Sequence, residues 1–398
     1  MYLTRREERI LKGEEGYARQ KAMEILVALG EIYEADRLIP VSSAQIAGVS
    51  YTSLGDDGIE WLESLEGAHV TIPAVLNPAG MDLENWRRMG VDPEYARKQI
   101  KIIEAYKRLG VRPLCSCTPY LLGMVPMLGE HVAWSESSAV CYANSVLGAR
   151  TNREGGPSAL ASAIIGKTPN YGYHLDENRK AGLIIEVEVE IKTISDYSAL
   201  GYWAGKLAGS NVPYFKGLKG VDSVRLKALG AGLGAAGSVA LYHVEGVTPE
   251  HKTALVERVE RHQFGEVELR EVYTNYFKPI PDRVDLAAIG CPHASLDEVK
   301  EVAEFVKGRR IKDDSRLWVF TSIAVKRMAE RCGYLDIIRA AGGEVYADGC
   351  MALAPLKDMG IEKVAVNSSK AAFYTRLLAK VDAYFGDLRQ CIESVIER

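Results

Sequence analysis

The chain has 398 residues, 47% of them apolar and 26% charged, with a formal net charge of −4. That length can bury more than one core, or one core plus an insertion, and the mild acidity, with no basic run interleaved with aromatics, argues against a nucleic-acid binder. The apolar stretches are short or broken by Gly and charge, well below a membrane span.

In chain order, Thr4 caps a helix whose first turn carries Glu7 and Glu8, and residues 22–29 keep helical spacing up to Gly30, which reads as a stop. Residues 38–43 and 69–73 read as short buried strands. Residues 93–108 form an amphipathic helix that leads through Gly110 to a first cysteine segment. The strict alternation over 185–192 marks a strand with one wet face.

The last third is the clearest. Residues 284–290, 317–322, 343–347 and 363–369 read as strands, and Ser295 with Glu298 forms a capping box that opens a helix. Strand then helix, repeated, means a parallel sheet with helices on its faces, so the fold class is α/β. The reading divides the chain into an N-terminal α/β part (1–181), an inserted α/β unit (182–281) and a C-terminal parallel α/β part (282–398). No low-complexity segment and no short-period repeat is present.

Seven cysteines, an odd number at irregular spacing in a long chain, indicate a reducing compartment. Met1 leads into Tyr2 to Arg9 with no apolar h-region, so no secretory signal is read and the expected location is cytoplasmic. Only nine Asn and five Gln occur, a composition that leans toward a thermophile because these amides are heat-labile.

Three cysteine segments sit where a strand gives way to a turn: Cys115-Ser-Cys-Thr-Pro-Tyr120, Ala288-Ile-Gly-Cys-Pro-His293 and Tyr346-Ala-Asp-Gly-Cys-Met351. An open α/β sheet binds its ligands outside the carboxyl ends of its strands. Pro and Gly neighbours there favour metal ligation over the bland reading of small buried hydrophobes. Thiolates suit tetrahedral zinc or an iron–sulfur cluster equally, and the Cys-x-Cys spacing does not choose between Cys115 and Cys117. Cys141, Cys332 and Cys391 lie in helical contexts and read as buried hydrophobes.

Polar clusters accompany them. Ser135 to Ser138 is one, and residues 144–156 are another, where Arg150, Asn152, Arg153 and Glu154 can clamp an anion or simply form a solvated ion pair. Asn367 to Lys370 offers small donors and a Lys at a helix start. His293 either orients a ligand or donates to an oxyanion, against the commoner structural role. The run Gly232-Leu-Gly-Ala-Ala-Gly237 matches the dinucleotide fingerprint by letter, yet follows a helix-like stretch and precedes a strand-like one at 238–242. Close backbone packing is the better reading; a nicotinamide-dependent oxidoreductase with structural zinc is the rival from another class.

Taken together, Gly48-Val-Ser-Tyr51, Cys117-Thr-Pro-Tyr120, the stretch from Asn144 to Gly156, Gly290-Cys-Pro-His293 and the Asp348-Gly-Cys350 turn resemble the aconitase X family, a branch of the aconitase superfamily. The resemblance implies an aconitase-like multi-layer α/β/α fold with largely parallel sheets. It implies a hydro-lyase with an iron–sulfur cluster, [4Fe-4S], held by Cys117, Cys291 and Cys350, whose open iron acts as a Lewis acid on the leaving hydroxyl.

The substrate implied is mevalonate 5-phosphate, dehydrated to trans-anhydromevalonate 5-phosphate in an archaeal-type mevalonate pathway; the alternative within the family is 3-hydroxyproline. The sequence ends at Arg398 without the smaller swivelling domain that carries the serine base in this superfamily, which implies a separate small subunit. By the same resemblance Arg150, Asn152 and Glu154, with Ser137, Ser138 and His293, are catalytic. Gly48, Val49, Ser50, Asn144, Thr151, Ser368 and Lys370 bind substrate.

Overall fold

A computed structural model of the chain describes residues 1–256 and 259–397. Its first layer starts with α1 (Arg5–Leu11), closed by a reciprocal capping box between Thr4 and Glu7. Helix α2 (Tyr17–Ile32) follows. Strands β1 (Leu38–Pro40), β2 (Ala44–Ile46), β3 (Ala74–Leu76), β4 (Arg112–Cys115), β5 (Ala133–Trp134) and β6 (Lys167–Pro169) come next, with α3 (Pro93–Arg108) before β4 and α4 (Ser137–Tyr142) after β5. Strands β2 to β5 form a parallel sheet in the order β4-β3-β2-β5, and β1 pairs antiparallel with β6. Met23 and Leu26 of α2 pack with Ile46, Leu76 and Leu160 in one fully buried cluster. Each such side chain stabilises the fold by about 1.5–3 kcal/mol.

A second parallel sheet is built from β7 (Leu183–Val187), β8 (Pro213–Lys216), β9 (His243–Val244) and β10 (Glu260–Phe264), in the order β10-β7-β8-β9. Its helices α5 (Ile194–Ala208) and α6 (Ser223–Ala236) press backbone against backbone. A Cβ on Gly232 would lie 2.3 Å from Ser198 O, and one on Gly201 2.2 Å from Leu229 O. The Gly-rich run therefore lies inside α6 and permits helix contact; it never leaves a strand, as a pyrophosphate loop must.

The third sheet contains β11 (Leu286–Ala294), β12 (Arg316–Thr321), β13 (Glu344–Ala347), β14 (Lys363–Val366) and β15 (Asp382–Phe385), all parallel, in the order β13-β12-β11-β14-β15. Helix α7 (Leu296–Val306) opens on the Ser295–Glu298 capping box, and α8 (Ser369–Tyr374) follows β14. The whole is a multi-layer α/β/α arrangement of largely parallel sheets. Among the described residues no helix is long and apolar enough to cross a membrane.

Several local expectations shift. Helix α2 runs past Gly30 to Ile32, so this glycine serves packing and not termination: a Cβ there would stand 2.4 Å from Met1 Sδ. Residues 69–73 are loop, with the strand starting after Pro73, which has no N–H to give a ladder. The alternation over 185–192 is strand only to Val187, and residues 238–242 are not strand. Cys332, expected to be buried, is exposed at the end of a helix.

Candidate functional site

Two topological switch points face each other. Numbered along the chain, the third sheet has strand order 3-2-1-4-5, so the order reverses between β11 and β14; the first sheet reverses between β2 and β5. Crevices form where neighbouring strands lead their connections to opposite faces, and ligands bind there at the carboxyl ends. At the first reversal stand Cys291 and Asn367 to Lys370; at the second stand Ala47 to Ser50 and Ser135 to Ser138.

The three cysteine segments reach this edge by different devices. Cys117 follows β4 one residue beyond Ser116. Cys291 lies within β11, which does not end there as the sequence suggests; the register with β12 shifts between Ile289 and Ala294, so Gly290 to His293 bulge out. Gly290 has φ 100°, and a Cβ there would lie 2.1 Å from Phe320 O, so only glycine allows this bulge. Cys350 follows β13 through Asp348, at φ 62°, and Gly349.

These three thiols act on one another electrostatically: Cys291 on Cys117, Cys350 on Cys291, and Cys117 on Cys350. Burial pushes each up to about 12, against the opposing pull of the Lys370 ammonium, so without a cation among them they stay protonated. Cys115 instead packs into the first core cluster, where burial and then Asp348 raise its thiol well above the usual range. Among the described residues, no three His, Cys, Asp or Glu side chains close round a point that would hold a single metal ion.

Next to the thiols lies a buried polar group that the sequence does not single out, Glu136, the N-cap of α4. Its carboxylate accepts from Ser138 Oγ at 2.5 Å, Ser137 Oγ at 3.2 Å and Ala139 N at 2.8 Å, and pairs with Lys370 Nζ. Burial alone would raise its pKa, but Lys370 and these donors outweigh it and hold the group below the usual carboxylate range. Lys370 Nζ also donates to Ser138 Oγ at 3.1 Å. Tyr120, three residues after Cys117, stacks on Tyr142 at 3.8 Å, and its buried hydroxyl has no hydrogen-bond partner among the described residues.

His293 is buried beside the thiols; burial, with Lys227 nearby, lowers its pKa to about 4, so the ring is neutral. Gly48, Val49 and Ser50 form the turn after β2, where Val49 O accepts from Gln99 Nε2 at 2.8 Å and Ser50 caps the next helix.

The 144–156 stretch divides. The Asn144 side chain holds the Thr151 backbone at both ends, with Asn144 Nδ2 donating to Thr151 O at 2.9 Å and Thr151 N to Asn144 Oδ1 at 3.0 Å. Asn152 clamps Tyr171 O and Tyr173 N. Arg150 bridges to His131 at the start of β5, the edge opposite the thiols, and its guanidinium is committed to Asp176 and His174 O. Glu154 N donates to Trp134 O at the end of β5, and its carboxylate accepts from Ser158 at 2.5 Å and Thr168 at 3.1 Å, while burial raises its pKa.

Among known proteins, one family matches nearly the whole length: Aconitase X first domain over residues 1–177, second domain over 181–274 and third domain over 284–397. The chain belongs to the aconitase X family. It is 53% identical over 393 residues to the phosphomevalonate dehydratase large subunit of Methanothermobacter thermautotrophicus, with 97% of each chain covered. It superposes on the holo-form crystal structure of aconitase X from Thermococcus kodakaraensis with a TM-score of 0.93, at 49% identity, over 99% of this chain and 100% of that one. The cis-3-hydroxy-L-proline dehydratase of Pseudomonas aeruginosa is 35% identical over 400 residues, which span 97% of this chain but 68% of that protein.

Proposed function

We propose that this chain is the large subunit of a dehydratase that removes water from mevalonate 5-phosphate to give trans-anhydromevalonate 5-phosphate. The observation that carries the reading is end-to-end similarity, at 53% identity and 97% coverage of both chains, to a protein named for that activity. The hydroxyproline alternative has lower identity and leaves about a third of that relative unmatched.

Membership of an aconitase-type family implies an iron–sulfur cluster, and the donor set fits one. Three buried cysteines that interact with one another stand at this edge, and soft thiolates are the ligands such a core takes. Cys117, Cys291 and Cys350 would hold a [4Fe-4S] core; three ligands leave one iron open as a Lewis acid for the departing hydroxyl.

The chain's own groups supply orientation and charge. Ser137 and Ser138, whose hydroxyls donate to Glu136, stand with Ser368 and the Gly48 to Ser50 turn at the edge of the crevice. The Ser138 hydroxyl proton is held by the Glu136 carboxylate at 2.5 Å, which leaves its oxygen directed by Lys370. Asn144, Thr151, Asn152 and Glu154 brace the stretch that follows α4, while Arg150, at the opposite edge, is tied to His174 and Asp176. The similar chain is named a large subunit. A small subunit carrying the swivel domain and the serine base would complete the site.

The test is to purify the chain with and without the partner encoded for it, and to follow water loss from mevalonate 5-phosphate and from 3-hydroxyproline by proton magnetic resonance. Turnover of the phosphate substrate only by the pair is the expected result. Full activity of the lone chain, or activity on hydroxyproline alone, would reject the proposal.

A further inference from the structure

The imidazole of His293 is 1% exposed and touches every segment that brings a cysteine to the site. Its own strand carries Cys291 two residues earlier. Its main-chain N–H donates to Cys117 Sγ at 3.1 Å, and its Nδ1 lies 3.1 Å from the hydroxyl of Ser116, the neighbour of Cys117. On the other side, Nε2 lies 2.8 Å from the carbonyl oxygen of Gly349, the residue before Cys350.

A carbonyl oxygen only accepts, so Nε2 carries a hydrogen toward Gly349 O, while Nδ1 pairs with the Ser116 hydroxyl. Ser116 Oγ in turn accepts the Thr118 N–H at 3.1 Å and lies 3.0 Å from the Thr118 hydroxyl. Both ring nitrogens thus have partners within the protein. Two other ties nearby, the Ala79–Gly349 bridge and the Lys370–Glu136 pair, touch at most one of the three cysteine segments.

We infer that His293 is a positioning residue that fixes the spacing of the three thiols by holding the loops of Cys117 and Cys350 against the bulge of Cys291. The inference rests on, and deepens, the assignment of those thiols as cluster ligands. Partners that orient ligands from one bond away typically change metal retention about 10- to 100-fold when removed.

The experiment uses the full-length chain reconstituted anaerobically with ferrous iron and sulfide, in native form and as His293→Gln, His293→Leu and Ser116→Ala. Gln keeps one donor and one acceptor in place of the ring; Leu keeps bulk but neither. Iron and acid-labile sulfide per chain, the rate of iron loss to a chelator, the spin-resonance line shape after reduction and the melting temperature of the metal-free chain are measured.

His293→Leu is expected to lose iron about 10- to 100-fold faster, with a broadened line shape, and His293→Gln to restore both. Native rates and line shapes in His293→Leu would overturn the inference, as would equal loss of melting temperature and iron in Leu and Gln alike. Should His293→Leu fail to fold, Ser116→Ala decides: faster iron loss at an unchanged metal-free melting temperature supports the role, and an unchanged rate overturns it. A native chain that takes up no iron overturns the cluster assignment itself, and this inference with it.

Discussion

Lys370 and Glu136 form a buried ion pair that joins the switch points of two separate parallel sheets. Glu136 follows β5 of the first sheet and Lys370 follows β14 of the third, 234 residues later. The pair sits beside Cys117 and Cys291, each of which interacts electrostatically with Lys370. It thus ties the two halves of the crevice together and brings a fixed positive charge to the thiols.

Removing one partner strands the other as a buried charge, which typically costs about 3–5 kcal/mol. Lys370→Met and Glu136→Gln should each lower the unfolding free energy of the metal-free chain, read from urea denaturation, by an amount in that range. The double replacement Lys370→Met with Glu136→Leu should recover most of the loss while abolishing turnover. A double variant that is no more stable than either single one would show that the pair is not the interaction at stake.

Cys115 and Cys117 are two residues apart yet belong to different environments. Cys117→Ala should abolish iron retention, as should Cys291→Ala and Cys350→Ala. Cys115→Ala should retain full iron and lose only about 1 kcal/mol from the core. Iron analysis of the four reconstituted variants distinguishes them; an iron-free Cys115→Ala chain would reverse the assignment.

Acid should loosen a second tie between the same sheets. Asp82 is buried, and burial alone would raise its pKa; Lys326 at 2.8 Å and the N–H groups of Ala347 and Asn85 outweigh this and hold it below the usual range. A group with a depressed folded pKa contributes stability above its unfolded value, about 3.9. That contribution is lost as pH falls through the folded value. Denaturation of the metal-free chain should therefore steepen below about pH 4, and Asp82→Asn should be less stable at neutral pH with a flatter acid limb. An identical acid limb in the variant would remove Asp82 from the account.

The Gly-rich run supplies a test against the oxidoreductase reading. A methyl group at Gly232 would strike Ser198 O, so Gly232→Ala should destabilise the chain by about 1–3 kcal/mol through overpacking. Calorimetric titration with a nicotinamide dinucleotide should show no heat of binding in either protein. Saturable binding that the substitution abolishes would restore the rival.

Local chemistry was enough to read much of this chain. The capping boxes at Thr4 and Ser295, the helix Pro93–Arg108 and the strand–helix alternation after residue 282 are each encoded within a few neighbouring residues. So is the placing of Cys117 and Cys350 just after strands, because Gly and Pro restrict the backbone where they stand; Cys291 instead lies in a bulge inside β11. Long-range neighbours are another matter. Glu136 looked like one polar residue among serines until Lys370 was brought against it. Cys115 and Cys117 looked equivalent until the core took one and His293 bonded the other. Gly232 matched a nucleotide fingerprint until α5 filled the space beside it. Periodicity and turn propensity act along the chain, so the sequence alone determined the capped helices and the parallel strand–helix order of the last third; burial, charge pairing and backbone contact act through space, and only the tertiary structure decided the bulge at Cys291 and which residues share a site.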